Sequence, residues 1–154
     1  MSKRYKIFSS MFMCEDYNVE TSTASNIFTK INTKDNLNAS FFMIMQIRCI
    51  NELKDGKIRF FLFLENDKIY KLMHVFEIPN ENHEFKNERG INYTNILEFE
   101  DYAFPEKGKY VWSLYAISVE DLKREGLTTD TEELFEYFQK KDEYLINFNV
   151  CNVL

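Results

Sequence analysis

Along most of this chain, apolar and polar side chains alternate with a period of two, in runs that recur at intervals of roughly ten to fifteen residues. Alternation sends successive side chains to opposite faces of an extended segment, so each run reads as a strand with one face directed into a core. Strands that follow one another at this spacing, with no helices between them, build antiparallel sandwiches rather than βαβ sheets. Fifteen Phe, nine Tyr and one Trp among 154 residues strengthen the reading, because aromatic rings favour pleated, half-buried surfaces. A chain that is 45% hydrophobic at this length buries the core of one domain, which excludes disorder and leaves little room for a second.

The runs can be placed one by one. Lys6 to Tyr17 reads as a first strand and Ser25 to Ile31 as a shorter second. In Phe41 to Ile50 one face carries Phe41, Met43, Met45, Ile47 and Cys49, and the other Phe42, Ile44, Gln46, Arg48 and Ile50, as expected of a central strand. Lys54-Asp55-Gly56-Lys57 is a turn, so Ile58 to Leu64, apolar nearly throughout, is expected to form a hairpin with the preceding run. Ile69 to Ile78 is closed by Pro79, which has no N–H to donate, and the polar stretch Asn80 to Arg89 reads as an exposed loop ending at Gly90. Ile91 to Phe104 sets Leu97 and Phe99 against Glu98 and Glu100. Phe104-Pro105-Glu106-Lys107-Gly108-Lys109-Tyr110 is a tight turn, and Tyr110 to Ile117 places Tyr110, Trp112, Leu114 and Ala116 opposite Val111, Ser113, Tyr115 and Ile117.

Helical signals come late. Ser118 caps a short turn stopped at Gly126, and Thr129 or Asp130 caps a helix carrying Leu134, Phe135 and Phe138. Glu132, Glu133 and Glu136 near its start and Lys140 and Lys141 at its end match the helix dipole. Tyr144, Ile146, Phe148 and Val150 then alternate with Leu145, Asn147, Asn149 and Cys151 in a last strand. The expected fold is mainly β, a single antiparallel β-sandwich of about seven or eight strands over residues 1–154. One C-terminal helix, at about 130–141, lies across a sheet edge or open end before a final strand at about 144–153.

Catalytic, cofactor and metal motifs are all lacking, so no catalytic, cofactor-binding or metal residue is assigned and the expected protein is not an enzyme. His74 shares a predicted strand face with Leu72 and Phe76 and reads as a satisfied, partly buried ring, while His83 falls in the polar loop and reads as solvated. Cys14, Cys49 and Cys151 have no zinc spacing and read as small buried hydrophobes in a reducing compartment. Glu98, Glu100 and Asp101 cluster before a turn, but lack the ligand spacing of a calcium loop, and whether they form a site or a solvated face stays open. Tyr93, Tyr102, Tyr110, Trp112 and Tyr115 could stack on sugars or bases, yet have no interleaved Lys or Arg and read as core. Gly56, Gly90, Gly108 and Gly126 are too widely spaced for a phosphate loop.

Twenty-five acidic against 19 basic residues give a net charge of −6, which makes nucleic acid and anionic membrane poor partners. The start, Met1-Ser2-Lys3-Arg4-Tyr5-Lys6 followed by Ile7 to Met13, lacks the long apolar stretch of a signal peptide, and a cytoplasmic location is expected. Asn38-Ala39-Ser40 and Asn92-Tyr93-Thr94 fit the glycosylation pattern but would go unused there.

Met13-Cys14-Glu15-Asp16, Asn26-Ile27-Phe28 and Phe104-Pro105-Glu106-Lys107-Gly108-Lys109-Tyr110-Val111-Trp112 together resemble a group of small bacterial and bacteriophage β-sandwich domains of uncharacterised function, over about residues 7–118. The resemblance implies a fold and a bacterial, phage or mobile-element source. It supplies no functional residues. The expected role is therefore a non-enzymatic protein-interaction or binding module, with a protein partner or a second copy favoured over a small molecule. Two alternatives stand beside it: an acidic inhibitor or decoy of a host protein, and a carbohydrate-binding or hydrolytic sandwich, which would need a concave pocket with converging polar groups.

Overall fold

The computed structural model describes residues 5–49, 57–78, 86–87, 90–127 and 130–154. Lys54 to Gly56, Pro79, His83, Thr129 and the parts of the Asn80–Arg89 loop other than 86–87 lie outside the described residues.

The described strands are β1 (Ile7–Asn18), β2 (Thr23–Phe28), β3 (Lys30–Ile31), β4 (Asn38–Cys49), β5 (Ile58–Glu65), β6 (Tyr70–Ile78), β7 (Lys86–Asn87), β8 (Gly90–Ala103), β9 (Gly108–Ser118) and β10 (Leu145–Val153). Two helices, α1 (Val119–Arg124) and α2 (Thr131–Lys140), separate the last two strands. The strands form two five-membered sheets: a first in the order β2-β1-β4-β8-β7 and a second in the order β3-β10-β9-β5-β6. The mainly β, two-layer architecture is that expected from the alternation, and all the longer strands pair antiparallel; the single parallel pairing among the described residues is between dipeptide β3 and β10.

The space between the sheets is filled by side chains. Phe41, Met43, Met45, Ile47 and Cys49 of β4 face Tyr110, Trp112, Leu114 and Ala116 of β9 and Ile58, Phe60, Leu62 and Leu64 of β5 in one buried cluster. Phe41 stacks on Phe99 at 4.8 Å between centroids and meets Trp112 edge-on at 6.3 Å. The Pro105–Gly108 turn feeding β9 is held by buried Tyr110, whose hydroxyl donates to the Glu106 carbonyl and accepts from the Glu106 N–H. Gly108 sits at φ +123°, where a side chain would be strained.

Several expectations are corrected. β4 and β5 are not a hairpin: β4 lies between β1 and β8 in the first sheet, whereas β5 lies between β6 and β9 in the second. The run from Ser25 to Ile31 is two strands, because the chain crosses between sheets at Thr29, whose carbonyl accepts from the Asn152 N–H. The loop Asn80–Arg89 contains the short strand β7. The helix does not lie on an edge. α1, α2 and the turn at Tyr144 cover the outer face of the second sheet, where Leu122, Leu134, Phe138 and Tyr144 bury Phe61, Phe63, Tyr115 and Ile117. The helix boundaries agree with the sequence, and the caps are those predicted: Ser118 Oγ accepts from the Asp121 N–H and Asp130 Oδ1 from the Glu133 N–H.

Candidate functional site

The two outer faces of the sandwich differ. Helices cover the middle of that of the second sheet, while that of the first sheet is crossed by side chains in register across β1, β4 and β8. Four transverse rows follow from the pairing: Phe8–Arg48–Asn92, Ser10–Gln46–Thr94, Phe12–Ile44–Ile96 and Cys14–Phe42–Glu98. The third row is apolar and its centre, Ile44, is fully buried. The first two rows are mainly polar and exposed, and they form the floor of a groove of about 950 Å³. The wall is the tip of the β1–β2 hairpin. Beyond Cys14, β1 leaves β4 and pairs with β2 alone, and Tyr17, Val19, Glu20 and Ser22 from this arm line the same groove. Asn18 shapes the tip, its Oδ1 accepting from the N–H groups of Glu20 and Thr21.

Every polar side chain of the floor faces solvent with its donors and acceptors uncommitted. Among the described residues, Gln46, Arg48, Asn92 and Thr94 make no side-chain hydrogen bond or ion pair with one another or with the rest of the fold. Charge is balanced, with Arg48 the cation and Glu20 the carboxylate among the described lining residues. Phe8 is 47% exposed at the end of the first row, beside the groove's polar side chains.

Among the described residues, those singled out in the sequence are not brought together in one place. Glu98 is exposed in the fourth row, and Glu100 and Asp101 occupy a bulge opposite Ser40. Asp101 takes a left-handed conformation there and donates its N–H to Ser40 Oγ. Among the described residues, no three His, Cys, Asp or Glu side chains are grouped as metal ligands. His74 is half-buried and tilted against Phe76, and burial lowers its pKa, with the Asn95 carboxamide acting in the opposite sense. It does not share a face with Leu72. Met73 is an extra residue in β6, so Leu62 pairs with His74 but Phe63 with Leu72, and Leu72 turns outward under the helices.

Cys14, Cys49 and Cys151 are free and buried. Burial pushes the Cys151 thiol up to about 11 against the opposing influence of the Trp112 indole, which leaves it a weak nucleophile. Tyr110, Trp112 and Tyr115 are buried, and Tyr93 and Tyr102 pack partly buried against the core, so these rings form no exposed stacking surface. Glu132 and Glu133 lie in the first turn of α2. The sequence does not point to Ser10, Asn92 and Thr94 as a binding site: Asn92 and Thr94 stand out in it only as an unused glycosylation pattern. Their signal is weak in sequence, since Ser10 is an outward position of β1 and Asn92 and Thr94 are outward positions of β8, and only the register brings them together across β4.

No protein-family model matches this chain, and no curated protein does. Among solved structures it is similar to part of a β-glucosidase from Listeria innocua in complex with glucose, at 13% identity and a TM-score of 0.43, over 75% of this chain. The chain spans 16% of that protein's length. A likeness at this level carries no argument about activity. No helix among the described residues is long and apolar enough to cross a membrane.

Proposed function

We propose that this protein is a non-enzymatic recognition module that binds its partner on the outer face of the first sheet, in the groove between that face and the β1–β2 hairpin. The observation that carries the reading is the convergence of two transverse rows, Phe8–Arg48–Asn92 and Ser10–Gln46–Thr94, into one groove in which Gln46, Arg48, Asn92 and Thr94 have no side-chain partner among the described residues. Polar groups left free and aligned are what a ligand's own donors and acceptors require. Its lining supports binding over catalysis. Glycoside hydrolysis needs two carboxyl groups flanking a bond, and acyl transfer needs a nucleophile beside a base, whereas the described lining offers Glu20 alone and neither His nor Cys.

The test is a comparison of what the tagged protein retains from its host, with the groove open and with it filled. Thr94→Trp plants a large ring on an exposed position of the floor. The reading expects a partner on the unmodified protein that is lost on Thr94→Trp, with the thermal unfolding of the two proteins unchanged. Recovery of the same partners on both proteins sinks it.

A further inference from the structure

We infer that the ligand of this groove is a neutral oligosaccharide, a conclusion that rests on reading the groove as the binding site. Four properties of the floor select this chemistry. First, the floor is the face of a sheet and not its edge. β4, which supplies Gln46 and Arg48, is paired on both sides, so its main-chain groups are spent in the ladders. An extended peptide is normally held by main-chain bonds along a free strand edge, and the centre of this floor, on β4, offers none. A sugar needs none.

Second, the side chains offered are of the kind that match hydroxyl groups. The amides of Gln46 and Asn92 each present a donor pair and an acceptor, and the hydroxyls of Ser10 and Thr94 both donate and accept, as sugar hydroxyls do. Third, the charge is balanced. Arg48 and Glu20 cancel, in a chain of net charge −6, so a polyanion gains no field here and a polycation finds a single carboxylate. Fourth, Phe8 holds an aromatic ring 47% exposed in the row with Arg48 and Asn92. The negative face of such a ring attracts the polarised C–H groups on the apolar side of a pyranose, while its neighbours take the hydroxyls. At about 950 Å³ the groove lies at the upper end of the range of ligand sites, roughly 300–1,000 Å³, with room for more than one sugar ring.

Isothermal titration of the whole protein with cellohexaose, xylohexaose, mannohexaose and chitohexaose tests the inference, with polygalacturonate as the anionic comparison. Binding of at least one neutral hexamer is expected, weakened about tenfold or more by Phe8→Ala and by Gln46→Ala. Phe148→Ala, which trims a ring 61% exposed on β10 outside the groove, should leave binding unchanged. Thermal unfolding of each variant controls for folding. Three outcomes overturn the inference: no neutral hexamer binds at millimolar concentration, polygalacturonate binds more tightly than all four, or binding survives both groove substitutions. If the hexamers fail while Thr94→Trp still abolishes a host partner, the glycan is wrong and the groove stands. If no binding of any kind responds to the groove, both readings fall.

Discussion

Tyr5 fastens the beginning of the described chain to α1 and the end of β9. Its hydroxyl donates to Asp121, a nearly buried carboxylate, and accepts from the Ser118 N–H, while Arg124 closes on the other Asp121 oxygen at 2.6 Å. Burial, and then the bond to Asp121, push the Tyr5 phenol up to about 12. A folded-state value above the ordinary 10 means that the phenol's contribution is intact below pH 10 and is lost as pH rises through about 12. Tyr5→Phe should therefore cost about 2 kcal/mol at neutral pH, the worth of a hydrogen bond to a charged group, and should make the alkaline loss of stability less steep in urea titrations. The loss will not vanish, because burial raises Tyr115 to about 12 as well. His74 contributes on the acid side. Burial holds its folded-state pKa below the ordinary 6.5, so its contribution is complete above pH 6.5 and is lost as pH falls through the folded-state value. His74→Phe, which keeps a ring against Phe76, should flatten the acid limb of a stability–pH profile measured from pH 8 to 4.

Within single elements, alternation made faces legible until an inserted residue broke the count. β9 follows its sequence pattern without exception: Tyr110, Trp112, Leu114 and Ala116 turn inward, and Tyr115 and Ile117 outward. β6 and β10 do not, because Met73 and Ile146 are bulged and invert the parity beyond them. Phe148, expected on the same face as Ile146, is 61% exposed for this reason, while Ile146 and Cys151 enter the core. A bulge is one residue with no compositional mark, so the pattern could not announce it. The sheet assignment of β5 had a mark that the hairpin expectation overlooked. A strand apolar on both faces needs cover on both, and the apolar side of α2 was the cover available: Phe138 stacks on Tyr115 at 4.7 Å and leans on Phe61 at 5.5 Å. Phe138→Ala would leave a cavity between α2 and the second sheet and should cost about 3–5 kcal/mol in urea unfolding. A cost below about 1 kcal/mol would mean that the helix is not a packed layer.

Across the whole molecule, the two sheets are joined along one side and not by backbone alone. The stretch of β1 before its pairing with β2 presents an unpaired edge, and β10 lies opposite it in the other sheet. Asn147 and Asn149 donate their side-chain amides across this gap to the carbonyls of Ser9 and Met11, at 3.1 and 3.0 Å. These are two of the three Asn of the last strand, those that alternate with Ile146, Phe148 and Val150. Their polarity was visible in sequence, whereas their target was not, because it lies 138 positions away in each case. The groove was hidden by the same kind of distance, since Ser10, Gln46 and Thr94 become a row only after β1, β4 and β8 have paired. Crossing at Thr29, the chain also lays β3 beside β10, so the last strand holds partners from the first fifth of the sequence and from β9 at once. β10 is thus an interior strand of the second sheet, and Cys151, Ile146 and Val153 fill the core between the sheets. Ending the chain after Lys141 removes those side chains, strips β9 of one neighbour and leaves the carbonyls of Ser9 and Met11 without their amides. Such a chain should fail to fold as a unit, giving no cooperative thermal transition and red-shifted emission from Trp112, which is fully buried in the intact protein. A shortened chain that kept a cooperative transition and blue-shifted emission would show instead that the first nine strands and α2 form a core of their own.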